Sequence, residues 1–393
     1  MATPAHTILT ATPMPYRDNI GFFDRDAGLL CLALRGVGIN SRFVALGEPE
    51  ERTDPPLILG RLDQWTDAAW WQGLKADAVV INSWAAPRYE PVARAIKASG
   101  TRLVVRLDSD GCKSPRAGFA PFLAAAYSMA RDAHRLFPAL YALVQTLAFR
   151  FMPSAHDRGM VNHLTHAELI TIESAPAAEC FVQLLRDLGR TDLTGRLRVL
   201  PHPVNDGFVH DATVPRRKQI LAVGRWDSHQ KDGPLLLSVL AAALAVEPEH
   251  TAVIVGDTGP VLERSFLTLP ASVRSRITLA GRVPNLKLVP HCQASQTLLV
   301  TSRYESFHLA AAEALCCGCT VVGPAHIAPL RAFVSRASGT VSPTRDCAGL
   351  AAALRSELAT WREGRRDAAA ISRHWRAEVT ASAVATRLRD WLA

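Results

Sequence analysis

Short apolar runs alternate with longer amphipathic ones along most of the chain. Residues 7–11, 42–46, 57–59, 78–82, 102–107, 169–172 and 198–200 are brief and rich in β-formers, which predicts buried strands. Between them, 24–35, 89–98 and 177–188 carry apolar residues at helical spacing. A polar, Pro-containing stretch at 205–218 follows, and then the alternation restarts. Strands are predicted at 219–223, 252–255, 277–279, 297–300 and 320–322, and helices at 234–245, 307–317 and 348–357. A single long helix is predicted over 368–392. Strands that are apolar along their whole length imply parallel sheets covered on both faces, joined by right-handed crossovers. The expected fold class is α/β: two doubly wound Rossmann-like domains facing a cleft, over 1–205 and 218–370, with 371–393 crossing back to the first domain.

Residues 112–166 break this rhythm. Two stretches, 119–130 and 136–149, read as helices that are apolar over much of their surface, with Arg131, Arg135, Arg150 and Arg158 around them. They are too short to span a bilayer. The expectation is a helical insertion packed on the first domain, with an acceptor pocket or a membrane-surface patch as its functional reading. Trp65, Trp70 and Trp71 read as core. Gly36-Val-Gly38-Ile-Asn-Ser41 is a fragment of the dinucleotide fingerprint, but it follows a helix rather than a strand and reads as a turn.

The chemistry concentrates between Ser295 and Gly323. A strand runs into a polar turn at 301–306, a helix follows, and Gly318 stops it. Ser306 is the expected N-cap. Glu305 precedes the helix, and Glu313 lies on it off the apolar side. The N–H groups and positive dipole end near Ser306, Phe307, His308 and Leu309 suit an anionic ligand such as a diphosphate. At the end of the 219–223 strand stand Gly224, Arg225 and, six residues on, Lys231, two cations at a strand mouth. Gly281-Arg282-Val283 follows another strand. Taken singly, each of these also has a plain reading as a solvated charge or a turn.

Together they resemble the donor-binding signature of the GT-B fold retaining glycosyltransferases of family 4, the glycosyltransferase group 1 type. The family pattern is Glu, small residue, Phe, Gly, four residues, Glu, Ala. Here it stands as Glu305-Ser-Phe-His-Leu-Ala-Ala-Ala-Glu313-Ala, with His308 in place of the glycine. The resemblance implies that Gly224, Arg225, Lys231, Val283, Glu305, Ser306, Phe307, His308, Leu309 and Glu313 form the donor site. It gives Arg225 and Lys231 the leaving diphosphate, Glu305 the donor-sugar hydroxyls, Glu313 the ribose, and the backbone near Val283 the base. The implied activity is transfer of a sugar, with retention, from a UDP- or GDP-sugar to a glycan, lipid or small-molecule acceptor. An epimerase or sugar phosphorylase of the same fold, and a non-catalytic partner of another transferase, are the alternatives.

On the acceptor side the candidates are Gly21, after the first strand, Asp108 and Asp110, after the 102–107 strand, and Ser174, after the 169–172 strand. Asp108 is the candidate catalytic carboxylate, accepting a hydrogen bond or a proton from the acceptor hydroxyl. Asp108-Ser-Asp110 also matches the way other glycosyltransferases hold a divalent metal, but the GT-B resemblance implies none, and no cofactor is expected. Relatives often have a His in this region, and none stands at the end of that strand. Pro201-His-Pro-Val-Asn205 resembles the segment that closes the family's first domain.

Composition narrows the partners. In 393 residues, a net charge of +8 and a pI near 9.3 favour anionic ligands such as nucleotides or an anionic membrane met peripherally. No basic run interleaved with aromatics suggests nucleic acid. The eight cysteines have no framework spacing, and Cys316, Cys317 and Cys319 read as small core residues. With no apolar leader at the N-terminus, a reducing cytoplasm is expected, including its membrane surface.

Overall fold

The computed structural model describes residues 6–18, 21–83, 89–111, 119–132, 135–151 and 161–392. Within its helices, the side chains of 121, 122, 125, 128, 129, 132, 149 and 150 are not described. Arg158 and parts of the 112–166 insertion lie outside the described residues.

The chain divides into two compact units. The first comprises 1–122, 144–205 and 379–393, and the second 123–143 and 206–378. The first is built on an eight-stranded sheet in the order β3-β4-β2-β1-β5-β6-β7-β8. Its strands are β1 (Thr7–Pro15), β2 (Asn40–Leu46), β3 (Glu50–Thr53), β4 (Pro56–Gly60), β5 (Ala78–Asn82), β6 (Arg102–Arg106), β7 (Leu169–Ile172) and β8 (Leu197–Val199). All pairings are parallel except β3 on β4. β1 is longer than the expected 7–11. It runs through Pro13 and ends at Pro15, with a register shift against β2 between Thr12 and Pro15. β3 was not expected, because Glu-Glu-Arg-Thr has no apolar pattern; as an exposed edge strand it needs none.

Alternation along each strand feeds two cores. Leu9, Val79, Ile81, Leu103 and Val105 face one, with Val92 and Ile96 of α2 (Glu90–Ala98). Ile8, Ala78, Val80 and Val104 face the other, with Leu30 and Leu34 of α1 (Asp26–Gly36). The insertion holds α3 (Phe119–Asp132) and α4 (Pro138–Phe151), and α5 (Ala175–Asp187) follows β7.

The second unit has a six-stranded parallel sheet, β11-β10-β9-β12-β13-β14. Its strands are β9 (Gln219–Val223), β10 (Thr251–Val255), β11 (Ile277–Gly281), β12 (Thr297–Leu299), β13 (Thr320–Pro324) and β14 (Gly339–Ser342). The helices used below are α6 (Gly233–Val246), α7 (Leu309–Cys316) and α8 (Cys347–Arg362). Leu236, Leu240 and Leu244 of α6 pack with Leu350, Leu354 and Leu358 of α8 over Ile220 and Ala222. Cys316, Cys317 and Cys319 are fully buried free thiols.

The long terminal helix is a correction. It is two helices, α9 (Ala368–Val379) and α10 (Ala381–Leu392). Thr380 between them forms a parallel bridge with Val204. The Val204 N–H donates to the Val379 carbonyl at 2.8 Å, and the Ala381 N–H to the Val204 carbonyl at 2.7 Å. Those strand-type bonds take backbone groups that a continuous helix would use. α10 then lays Val384, Ala385, Leu388 and Leu392 on the β1 side of the first unit's sheet, with Leu30 and Leu34 of α1.

Candidate functional site

In each sheet the order reverses beside the first strand of its unit. β9 has β10 on one side and β12 on the other, and β1 has β2 and β5. In open parallel sheets the crevice for ligands opens at such a point, beyond the carboxyl ends of the strands. The predicted residues lie in the loops and helix starts that follow strands β1, β6 and β7 in the first unit and β9, β11 and β12 in the second.

In the second unit, Gly224 follows β9 and Lys231 lies on the loop before α6. The bend at the strand end depends on Gly256. At φ +115, a β-carbon there would lie 1.9 Å from the Gly224 carbonyl oxygen. Lys231 Nζ donates to Glu305 Oε1 at 2.6 Å, with side-chain exposures of 16% and 7%. The two loops that hold this pair are stitched together. The Arg303 N–H donates to the Gln230 carbonyl at 2.8 Å, and the Thr301 hydroxyl to the Lys231 carbonyl at 2.9 Å. Asp232, in a left-handed conformation, takes ion pairs from Arg303 and Arg345. Arg345 Nε also donates to the Thr301 and Ser302 carbonyls. Asp232 and Arg345 are positioning residues that sequence reasoning missed. Arg345 lies 32 residues beyond Glu313, and no local pattern marks it.

Helix α7 starts later than expected, and its N-cap is His308 rather than Ser306. His308 sits at φ +70, a backbone state that a glycine adopts freely and that costs other residues about 1 kcal/mol or more. Its Nδ1 accepts the Ala311 N–H at 3.1 Å, and a cap of that kind offsets about the same amount. The histidine therefore keeps the left-handed turn that the family's glycine implies, and its Nε2 lies 3.8 Å from Glu305 Oε1. Burial pushes the His308 ring down to about 4, and the Lys231 charge adds to this, so the ring is neutral at pH 7. Burial alone would raise the Glu305 carboxyl. His308 and Lys231 together more than reverse that and leave it below the usual range. With the ring neutral, Lys231 is the cation that faces Glu305.

Phe307 is buried, with its ring edge-on to Phe333 at 5.0 Å. Leu309 opens α7, and Ser306 is half-buried in the turn before it. Glu313 is buried, and its Oε1 accepts from Asn285 Nδ2 at 2.7 Å. Asn285 follows Val283 in the loop after β11, so this bond ties the Val283 loop to α7. Arg225 is exposed, and among the described residues no ion pair joins it to Glu305.

The first unit gathers a second polar cluster. Glu173, after β7, is buried; its two oxygens accept the Asp108 and Ser109 N–H groups at 2.7 and 3.0 Å. Asp108 stands at φ +45 after β6. His202, after β8, places Nε2 3.3 Å from Asp108 Oδ1 and 3.7 Å from Glu173 Oε1, with Nδ1 3.4 Å from Asp26 Oδ1. Arg106, fully buried, donates from Nη2 to the Pro201 carbonyl at 3.1 Å. Burial drives the Glu173 carboxyl up to about 7. Burial pushes His202 down, but the Asp108 hydrogen bond and the Asp108 and Glu173 charges more than reverse it, so its pKa is raised. The His absent from the end of the 102–107 strand thus arrives from the end of β8. The signal available in the sequence was its place directly after a strand.

Asp108, Glu173 and His202 have ligand atoms within 4.8 Å of one another and could converge on a cation. Their oxygens are engaged by backbone N–H groups and by His202, and Asp110 is not of the set. Ser174 caps α5, its hydroxyl accepting the Ala177 N–H at 3.3 Å; its neighbour Glu173 is the cluster member. Gly21 takes φ +67 in the loop after β1, where a β-carbon would meet Asp24 Oδ2 at 2.7 Å.

Residues 217–359 match the family described as Glycosyl transferases group 1. No curated protein matches the chain by sequence. Among solved structures it is similar to HepE from Anabaena in complex with UDP, at TM-score 0.68 and 15% identity over 98% of this chain and 99% of that one. It is also similar to sucrose-phosphate synthase from Thermosynechococcus elongatus, at TM-score 0.62 and 16% identity over 98% of each chain. A third is the catalytic domain of starch synthase IV from Arabidopsis thaliana bound to ADP and acarbose, at TM-score 0.61 and 10% identity over 99% of each. At such identities the likeness bears on the fold, and the sequence match bears on the second unit. The chain therefore has the GT-B fold, its residues 217–359 form a domain of the glycosyl transferases group 1 type, and its enzyme class is glycosyltransferase.

Proposed function

We propose that this protein transfers a sugar from a nucleotide-sugar, UDP-linked in the first instance, to an acceptor hydroxyl with retention of configuration. The observation that carries the reading is the Lys231–Glu305 pair beside the start of α7, at the carboxyl ends of β9 and β12. A cation, a carboxylate and a helix N-terminus meet there. That set can bind a diphosphate and sugar hydroxyls at adjoining points.

Each residue takes one task. Lys231, Arg225 and the N–H groups that open α7 neutralise the diphosphate. As the glycosidic bond breaks, negative charge grows on the leaving oxygen, and an interaction that strengthens with it lowers the barrier. Glu305 is ionised and accepts hydrogen bonds from donor-sugar hydroxyls. Glu313 accepts from the ribose hydroxyls, with Asn285 fixing its orientation. The backbone near Val283 meets the base. In the first unit Asp108 is the acceptor-side carboxylate, taking the hydroxyl proton, with His202 Nε2 3.3 Å from its Oδ1. None of these steps calls for a metal. The choice of UDP rests on HepE, which has been solved with UDP and with UDP-glucose.

A thermal-shift panel of UDP-, GDP- and ADP-sugars tests the reading. A ligand that binds only the folded state raises the melting temperature in proportion to the logarithm of its concentration over Kd. A shift for UDP-sugars well above the others is expected. No shift with any nucleotide-sugar would refute the donor assignment.

A further inference from the structure

Helix α4 is amphipathic the wrong way round. Its small side chains Ala142 and Thr146 are buried, while large apolar ones face solvent. Phe137, Leu140, Val144, Leu147 and Phe151 fall three or four residues apart and so form one stripe. Leu136, just before the helix, is 91% exposed, and Phe151 is 78% exposed. Single exposed apolar residues are ordinary; a contiguous stripe of large ones marks an interaction surface.

The charges around the stripe choose the partner. Arg131 and Arg135 are exposed at the end of α3 and just before α4. Arg135 lies over the Tyr141 ring at 5.2 Å, which leads its charge along the apolar surface. Between Asp132 and Asp157 the sequence contains no Asp or Glu. A partner helix in a coiled coil would need charged flanks and several heptads, and α4 offers neither. Over 131–156 the chain carries Arg131, Arg135 and Arg150 against one acid, Asp132, and an apolar stripe with such a cationic balance at its margin fits the interface of a negatively charged bilayer. At about 1.5 Å per residue, the fourteen residues of α4 reach roughly 21 Å, short of the about 30 Å of a hydrocarbon core. None of the described helices is long and apolar enough to cross a membrane. The helix would lie in the interface, parallel to it.

We propose that α4 docks this protein on the surface of an anionic phospholipid bilayer, its apolar stripe among the acyl chains and Arg131 and Arg135 at the phosphates. This goes beyond the transfer reaction and does not depend on it.

The test is co-sedimentation of the full chain with vesicles of phosphatidylcholine alone and of an equimolar mixture with phosphatidylglycerol. Binding is expected to the anionic vesicles, to weaken as salt rises, and to be slight on the neutral ones. Leu140→Ser, alone and with Phe137→Ser and Val144→Ser, should lower the bound fraction, the triple variant by about tenfold or more. Arg131→Ser with Arg135→Ser should lower it too and flatten the salt dependence. These side chains are exposed, so thermal melts of the variants should overlay the wild type. A wild type that stays in the supernatant with both vesicles, or a triple variant that binds as well as the wild type, would overturn the proposal. Equal binding to neutral vesicles would overturn the anionic assignment. So would a lipid-free dimer, seen by light scattering, that Leu140→Ser dissociates, because the stripe would then belong to a second copy of the chain.

Discussion

Replacing Lys231 by alanine separates what its charge does for the fold from what it does for the reaction. Lys231 and Glu305 are both largely buried and 2.6 Å apart. Removing one partner of a buried pair costs about 3–5 kcal/mol, mostly by stranding the other charge. Lys231 keeps some solvent contact, so the lower end applies, about 3 kcal/mol. For a domain of this size that is a fall of roughly 6–12 °C in melting temperature. The pH dependence follows from the carboxylate. In the wild type the Glu305 pKa is depressed, so its contribution is present above the unfolded value and is lost as pH falls through the folded one. Without Lys231, only His308 and the Ser302 hydrogen bond oppose burial, the pKa rises, and the deficit should shrink as pH falls below neutrality. The double variant Lys231→Ala/Glu305→Gln should recover the melting temperature and still have low kcat. In catalysis, losing one group that stabilises the developing charge costs on the order of a hundredfold or more in kcat. Donor KM should change far less, whereas Arg225→Ala should raise KM as well. Steady-state kinetics with saturating acceptor reads both. Near wild-type kcat in Lys231→Ala would make Lys231 a structural lysine, and the catalytic reasoning would fail.

Glu313→Ala should weaken UDP binding while the fold survives; an unchanged dissociation constant by calorimetry would remove the ribose assignment. Transfer should persist in excess EDTA; complete loss that manganese restores would turn Asp108, Glu173 and His202 into metal ligands. Glu173 and His202 both have raised folded pKa values, so both stabilise at low pH, and the melting temperature should fall between about pH 5 and 8. Glu173→Gln should flatten that slope, and an unchanged slope would mean the cluster does not titrate there.

The residues of the proposed donor site were easy to group because they are close in sequence. Gly224 to Lys231 and Glu305 to Glu313 each lie within one loop-and-helix segment, and each strand announces itself as an apolar run. The acceptor-side cluster was not. Asp26 opens α1, Arg106 and Asp108 lie at the end of β6, Glu173 follows β7 and His202 follows β8, and only the fold brings these points together. Thr380 was misread for a related reason. Its helical neighbours favour one continuous helix, and the bridge to Val204 that breaks it is a pairing across some 175 residues. His308 shows the opposite: the sequence put a β-carbon where a glycine was expected, and only the backbone shows the left-handed turn surviving it.

The placement of α10 bears on how the chain is made. One core of the first unit contains both Ile8 of β1 and Leu388 of α10. A ribosome releases the first long before the second, so that face of the sheet stays open to water throughout synthesis. The second unit, apart from 123–143, is continuous and emerges before α10. Native closure of the amino-terminal sheet therefore comes last, after the second unit has had time to fold. A fragment covering 1–205 alone should bind a reporter of exposed apolar surface such as ANS and aggregate, and adding 379–393 back as a peptide should suppress both.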